Sequence, residues 1–74
     1  MVGKDVRRIR EKLEMDRDGF AEFLCLSGYN ALMNIENGYR RPGKFVLRFL
    51  YYLDSLSNTK AKGLIKDLSE HEYK

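Results

Sequence analysis

Cysteine and histidine are almost absent from this chain of 74 residues, which has one of each, Cys25 and His71. A single cysteine excludes an intrachain disulfide and is typical of a reducing compartment. We expect Cys25 to behave as a small buried apolar residue. His71 is the only histidine, lies near the C-terminal end and has no ligand set around it, so we expect a surface side chain. The sequence therefore predicts neither a metal site nor another cofactor.

Catalytic patterns are also missing. The chain contains no nucleophile with a neighbouring base and orienting group, no glycine-rich phosphate loop and no His/Cys cluster at metal-binding spacing. We therefore expect a binding protein and not an enzyme.

Long apolar runs are missing as well. No segment is long and apolar enough to span a bilayer, and the first ten residues, MVGKDVRRIR, lack the apolar core of a signal peptide. We therefore expect a cytoplasmic protein that does not associate with a membrane.

The charges that are present are unevenly distributed. The net charge of +3 is by itself weak evidence for nucleic acid. Residues 37 to 53, however, include Arg40, Arg41, Lys44 and Arg48 and no carboxylate. A local positive field is therefore expected in this segment, although the total charge nearly cancels.

Apolar residues recur at helical spacing along the chain. Val6, Ile9 and Leu13 predict an amphipathic first helix over Asp5 to Glu14. Four more helices are predicted: one after the N-cap Asp16, one from Ser27 or Gly28 to the Asn37-Gly38 stop, one over Lys44 to Leu56, and one capped by Ser57 or Asn58. The expected buried positions are Phe20, Ala21, Phe23 and Leu24 in the second helix, Leu32 and Ile35 in the third, and Ala61, Leu64, Ile65 and Leu68 in the fifth. Without a repeat or linker, residues 1–74 are expected to form one all-α domain of five helices.

The fourth helix carries more apolar residues than one stripe can hold. Its large aromatic and aliphatic residues run from Phe45 to Leu56 and cover most of the helix circumference. We therefore expect the helices of residues 44–70 to serve both the core and a homodimer contact, with Tyr51, Tyr52 and Leu56 at the dimer interface.

Residues 16–37 have the pattern of a helix-turn-helix, in which the second helix of the pair enters the major groove of DNA. Its first residues are short or polar, and asparagine can form a bidentate pair with adenine. We expect base contacts from Gly28, Tyr29, Asn30 and Asn34. We expect phosphate contacts from Arg17, Ser27, Asn37, Tyr39, Arg40, Arg41 and Lys44. The predicted partner is double-stranded DNA.

The segments FAEFL (Phe20 to Leu24) and IENGYRRP (Ile35 to Pro42) resemble the helix-turn-helix domains of the phage Cro/C1-type repressors, the XRE family. The resemblance covers roughly Val6 to Leu56. It implies a five-helix, lambda-repressor-like domain that binds operator DNA as a two-fold dimer. It also implies an ion pair between Arg10 and Glu36, which we expect to be structural.

The chain departs from the family pattern at the turn and in one spacing. Cys25 stands where the family usually has glycine, and Gly28 is expected to provide the positive φ angle instead. The segment from Phe20 to Gly38 is one residue longer than the commonest family spacing. Counting back from Asn37-Gly38 assigns base contact to Tyr29, Asn30 and Asn34. Counting forward from FAEFL assigns it to Gly28, Tyr29 and Met33.

Two functional hypotheses follow from these patterns. The first is a sequence-specific repressor that binds a palindromic operator as a homodimer. The alternative is an antitoxin or regulatory subunit whose aromatic C-terminal helices mask a partner protein. RNA binding is a weaker third hypothesis, because no exposed strand platform with stacking rings is visible in the sequence.

Overall fold

The computed structural model describes residues 1–71, which form five α-helices and no β-strand. The helices are α1 (Gly3–Lys12), α2 (Arg17–Phe23), α3 (Tyr29–Glu36), α4 (Lys44–Ser55) and α5 (Asn58–Ser69). The predicted all-α class and the predicted number of helices are therefore confirmed for the described residues.

Helix α1 begins and ends two residues earlier than predicted. The Asp5 carboxylate accepts a hydrogen bond from the backbone N–H of Val2 at 3.0 Å, which closes the first turn ahead of the predicted start. At the other end, Glu14 has a φ angle of 58°. A left-handed residue cannot continue a right-handed helix, so α1 stops at Lys12. Leu13 follows the helix and is still buried.

Helix α2 begins as the sequence predicts. The Asp16 side chain accepts a hydrogen bond from the backbone N–H of Gly19 at 2.7 Å, as an N-cap should. A Cβ atom on Gly19 would lie 2.9 Å from the Asp16 carboxylate oxygen. Glycine inside this short helix therefore permits close approach of the capping group.

The turn between α2 and α3 corrects the prediction for Cys25. This residue is exposed and has a φ angle of 58°, so it is not the buried apolar residue that was expected. The chain reverses direction here, and the buried position belongs to the preceding residue, Leu24. Gly28 also has a positive φ angle, 151°. The turn thus uses two such residues, and Gly28 does not replace Cys25.

The core lies where α1, α2 and α3 meet and extends to α4. Its fully buried large side chains are Val6, Ile9, Phe20, Leu32, Leu50 and Leu53. Phe23 is half-buried, and its ring centroid lies 5.7 Å from that of Phe49. Helix α5, which is capped by Ser57, buries Ala61 fully, whereas the predicted core residue Leu68 is exposed. Helix α5 is therefore the least buried of the five described helices.

Candidate nucleic-acid interface

The outward face of α3 is polar and begins at the first turn of the helix. Tyr29 and Asn30 are exposed, and Asn34 is half-buried one turn beyond Asn30. Leu32, Ile35 and Glu36 point to the opposite side and are buried. The 100° spacing of helical residues therefore places Asn30 and Asn34 at the centre of the outward face. Tyr29 and the half-buried Met33 lie on one flank of it, and Gly28 is the N-cap.

This placement favours one of the two counts of the recognition helix. The count back from Asn37-Gly38 assigns base contact to Tyr29, Asn30 and Asn34, which lie on or beside the outward face. The other count replaces Asn30 and Asn34, at the centre of this face, with Gly28 and Met33, which are the N-cap and a flanking residue. The turn before α3 contains two residues with positive φ angles, Cys25 and Gly28.

The buried carboxylate of Glu36 fixes α1, α2 and α3 to one another. Its side chain is fully buried and binds the Nε atom of Arg10 at 2.8 Å and the Nε atom of Arg17 at 3.2 Å. Arg10 also donates from Nη1 to the backbone carbonyl of Met15 at 3.1 Å. One carboxylate therefore faces two guanidinium groups, and the cluster keeps one net positive charge.

Arg17, at the start of α2, was predicted to contact a phosphate, but its side chain is more enclosed than that role requires. Its side chain is 25% exposed, and its Nη1 atom donates to the Tyr29 hydroxyl at 2.9 Å. The hydrogen bond to Tyr29, together with that to Glu36, raises the pKa of Arg17. Arg17 thus holds the Tyr29 ring at the start of α3, with the guanidinium carbon 5.6 Å from the ring centroid.

The hydrogen bond from Arg17 leaves the Tyr29 hydroxyl able to donate a hydrogen bond to a further group. Because the phenol oxygen accepts from Arg17, its own proton is left to donate to a third group. Such a group could be a phosphate oxygen or an acceptor on a base edge. This contact between Arg17 and Tyr29 was not predicted from the sequence. The sequence feature that could have indicated it is that Arg17 and Tyr29 each occupy the first position of one helix of the pair, and the two helix starts lie close together.

A basic loop follows α3. The backbone carbonyl of Asn34 accepts hydrogen bonds from the N–H groups of Tyr39 at 2.9 Å and Arg40 at 3.2 Å, which turns the chain after Gly38. The predicted phosphate ligands of this region are all exposed: Ser27 before α3, and Asn37, Tyr39, Arg40, Arg41 and Lys44 after it. No ion pair within residues 1–71 involves Arg40, Arg41 or Lys44. Their charges are therefore open to solvent and to an anionic ligand.

The three residues predicted for a dimer interface differ in direction and in exposure. Tyr51 and Tyr52 are both exposed, but they point about 100° apart around α4. The Tyr51 hydroxyl accepts a hydrogen bond from the Met1 amino group at 2.8 Å. Leu56 is half-buried against the core at the end of α4. Tyr51 and Tyr52 are therefore accessible on different sides of α4, and Leu56 is only partly accessible.

No family model, curated protein or solved structure matches this chain. Within residues 1–71, no group of His, Cys, Asp and Glu side chains is arranged to hold a metal ion. None of the described helices combines the length and apolarity that a bilayer span requires.

Proposed function

We propose that this chain is a sequence-specific DNA-binding regulator of transcription with a lambda-repressor-like arrangement of its five helices. The observation that carries the proposal is the outward polar face of α3, followed directly by three exposed cations that form no ion pair within residues 1–71. Helix α3 would lie in the major groove, with Asn30 and Asn34 toward base edges. Arg40, Arg41 and Lys44 would contact the flanking phosphates.

The ion-pair cluster supports the proposal because it gives the helix pair a fixed geometry. Glu36 joins the last turn of α3 to α1 and to the first turn of α2. A recognition helix must be held rigidly if its side chains are to discriminate between base pairs. The cluster has one more guanidinium than carboxylate, and Arg17, at the start of α2, is the more exposed of the two arginines, so a phosphate would meet it first.

We further propose that the protein binds a palindromic operator as a homodimer and represses transcription by occupying a promoter. In this arrangement the two recognition helices lie one turn of DNA apart, roughly 34 Å. Two-fold symmetry would let each protomer read one half-site with the same residues.

The contacts at Arg41 and Asn30 predict different effects on DNA binding. Arg41→Ala should weaken binding to all duplexes alike and reduce the slope of log K against log salt by about 0.9, because one phosphate contact is lost. Asn30→Ala should instead relax the choice at one base pair, a discrimination of about 1–3 kcal/mol. Fluorescence anisotropy with duplexes of different sequence, over a salt series, measures both quantities.

The matched control for Arg41 is Lys60, an exposed cation at the start of α5, away from α3. Lys60→Ala should leave both the affinity and the salt slope unchanged. Equal effects of Lys60→Ala and Arg41→Ala would contradict the assignment of the basic loop to phosphate contact.

A second candidate function is binding to another protein, as an antitoxin or regulatory subunit does. The observation that favours it is the exposure of Phe45, which is 77% exposed at the start of α4. Light scattering separates the two candidates: a clean homodimer favours the regulator, whereas a monomeric or aggregating chain favours a missing protein partner.

A further inference from the structure

An open apolar groove runs between α2, α4 and the end of α5, on a different surface from the outward face of α3. Its volume is about 740 Å³, and its walls include Phe23, Leu24, Phe45, Val46, Phe49 and Leu68. Phe45 forms part of the wall and also projects into solvent. The same surface therefore has a cavity and, beside it, an apolar side chain that could fill one.

The two rims of this groove carry opposite charges. On the α2 side, Glu22 lines the groove, and Asp18 precedes it by one helical turn. On the α4 side, the lining residue Phe45 belongs to an exposed stripe with Arg48 and Tyr52 at helical spacing. Arg48 does not line the groove; it stands just outside it, beside the protruding ring, and we take it as the second rim. No ion pair within residues 1–71 involves Glu22 or Arg48.

This charge pattern discriminates between the occupants that an apolar groove could have. DNA would be repelled by the Asp18 and Glu22 rim, and an acidic protein segment would pair with only one of the two rims. A two-fold interface requires instead that the surface be complementary to itself. A groove with one acidic rim, one basic rim and a projecting phenylalanine meets that requirement.

We propose that this groove is the contact between two copies of the chain, in which Phe45 of each protomer enters the groove of its partner. Glu22 of one protomer then faces Arg48 of the other, and the same pair forms twice. Tyr52, which is 53% exposed, lies at the edge of the contact. This location deepens the homodimer of the proposed function and differs from the interface expected from Tyr51, Tyr52 and Leu56.

The first test measures the mass of the protein by light scattering over a concentration series. We expect a monomer–dimer equilibrium for the natural sequence and a dissociation constant raised about tenfold or more for Phe45→Ser, because a buried aromatic anchor is lost. Tyr51 lies on another side of α4, so Tyr51→Ser should change the dissociation constant of the dimer far less. A natural chain that stays monomeric would overturn the proposal, as would a dimer that Phe45→Ser leaves intact.

The second test exchanges charges across the proposed two-fold axis. Glu22→Lys alone and Arg48→Glu alone each place like charges opposite one another, so each variant should be monomeric where the natural chain is a dimer. An equimolar mixture of the two should form a heterodimer, because both pairs then have opposite signs. Glu11→Lys and Lys60→Glu, at exposed positions on α1 and α5, are the matched controls and should not affect association.

The exchange also separates a lost contact from a lost fold. Glu22 and Arg48 are exposed, so circular dichroism should show the helical content of the natural chain in both variants. Variants that remain dimeric alone, or a mixture that remains monomeric, would overturn the proposed contact. Since these measurements need no DNA, their failure is distinguishable from a failure of the proposed DNA binding.

Discussion

At the scale of single residues, the fold depends most on the buried carboxylate of Glu36. Its replacement by alanine would leave Arg10 without its partner in a site where its side chain is only 12% exposed. Breaking a buried ion pair in this way costs about 3–5 kcal/mol. The core of a domain of this size rarely supplies more than about 3–5 kcal/mol.

We therefore expect Glu36→Ala to be largely unfolded at 25 °C, as measured by circular dichroism with urea denaturation. The control is Glu11→Ala, because Glu11 pairs with Arg7 at 2.8 Å on the exposed side of α1. Surface pairs contribute at most about 1 kcal/mol, so this variant should remain folded. If Glu36→Ala and Glu11→Ala lowered the free energy of unfolding by similar amounts, Glu36 would have no special structural role.

Gly3 is a second residue on which the packing depends. A Cβ atom there would meet the backbone carbonyl oxygens of Glu36 and Ile35, at the C-terminal end of α3. Since backbone atoms cannot move aside, Gly3→Ala should destabilise the protein by about 1–3 kcal/mol. Around the Cβ position of Gly63, inside α5, no heavy atom of residues 1–71 lies within 4 Å apart from its chain neighbours and its own helix backbone. Gly63→Ala should therefore stabilise it by about 0.5–1 kcal/mol.

Urea denaturation of these two variants measures both changes. We expect the free energy of unfolding to fall in Gly3→Ala and to rise in Gly63→Ala. A Gly3→Ala variant as stable as the natural chain would contradict the close approach of α1 to the end of α3.

Sequence reasoning could predict some of these residue-level features and not others. Asp16 was predicted as a helix cap because its bond to Gly19 is local. The contact of Gly3 with α3 depends on how two distant helices meet, which no local pattern records. Cys25 was mispredicted because residue type favours burial, whereas the turn requires a left-handed residue at that position.

At the scale of helices, α1 and α4 are joined by a bidentate ion pair. Both terminal nitrogens of Arg8 donate to the Asp54 carboxylate at 2.9 Å. The hydrogen bond from Arg8 lowers the pKa of Asp54 below its ordinary value, with smaller contributions from the charges of Arg8 and Lys12. This pair ties the start of the chain to the helix that precedes α5.

The lowered pKa of Asp54 predicts a pH dependence of stability. Unfolding releases the carboxylate to its ordinary pKa, so the stabilisation is present above that value and is lost as pH falls through the lowered value. Asp54→Asn should therefore unfold at a lower temperature than the natural chain at pH 7. The difference should disappear in acid, where both side chains are neutral.

Thermal unfolding from pH 7 to strongly acidic pH checks this expectation. Asp67→Asn is the control for the loss of a carboxylate, because Asp67 is exposed on α5 and forms no ion pair within residues 1–71. If the unfolding temperature of Asp54→Asn stayed equally far below that of the natural chain in acid, the role of the ion pair would be contradicted.

The helices themselves could be predicted from the 3.6-residue period of apolar residues, since each helix buries one face. Their ends were predicted well where a cap is local, as at Ser57 and at Gly38. The start of α1 was missed because Val2 is an unusual N-cap. The hydrogen bond at this end is accepted by the side chain of Asp5, three residues into the chain from Val2.

At the scale of the whole molecule, the charges divide the surface by role. The cations of the loop after α3 are unpaired within the described residues, whereas the groove on the other surface has rims of both signs. A net charge of +3 reports neither feature. The candidate site could be predicted from sequence because α3 and its loop are contiguous. The enclosure of Arg17 and the groove could not, because each depends on residues brought together by folding.

The central claim is that the outward face of α3 reads DNA sequence. Its most direct test is selection of bound duplexes from a random pool by the natural chain, followed by sequencing. The proposal predicts enrichment of one palindromic site with half-sites about one helical turn apart, and loss of preference at one position of each half-site with Asn30→Ala. A pool that stays random, or a site that Asn30→Ala and Tyr29→Phe leave unchanged, would contradict it.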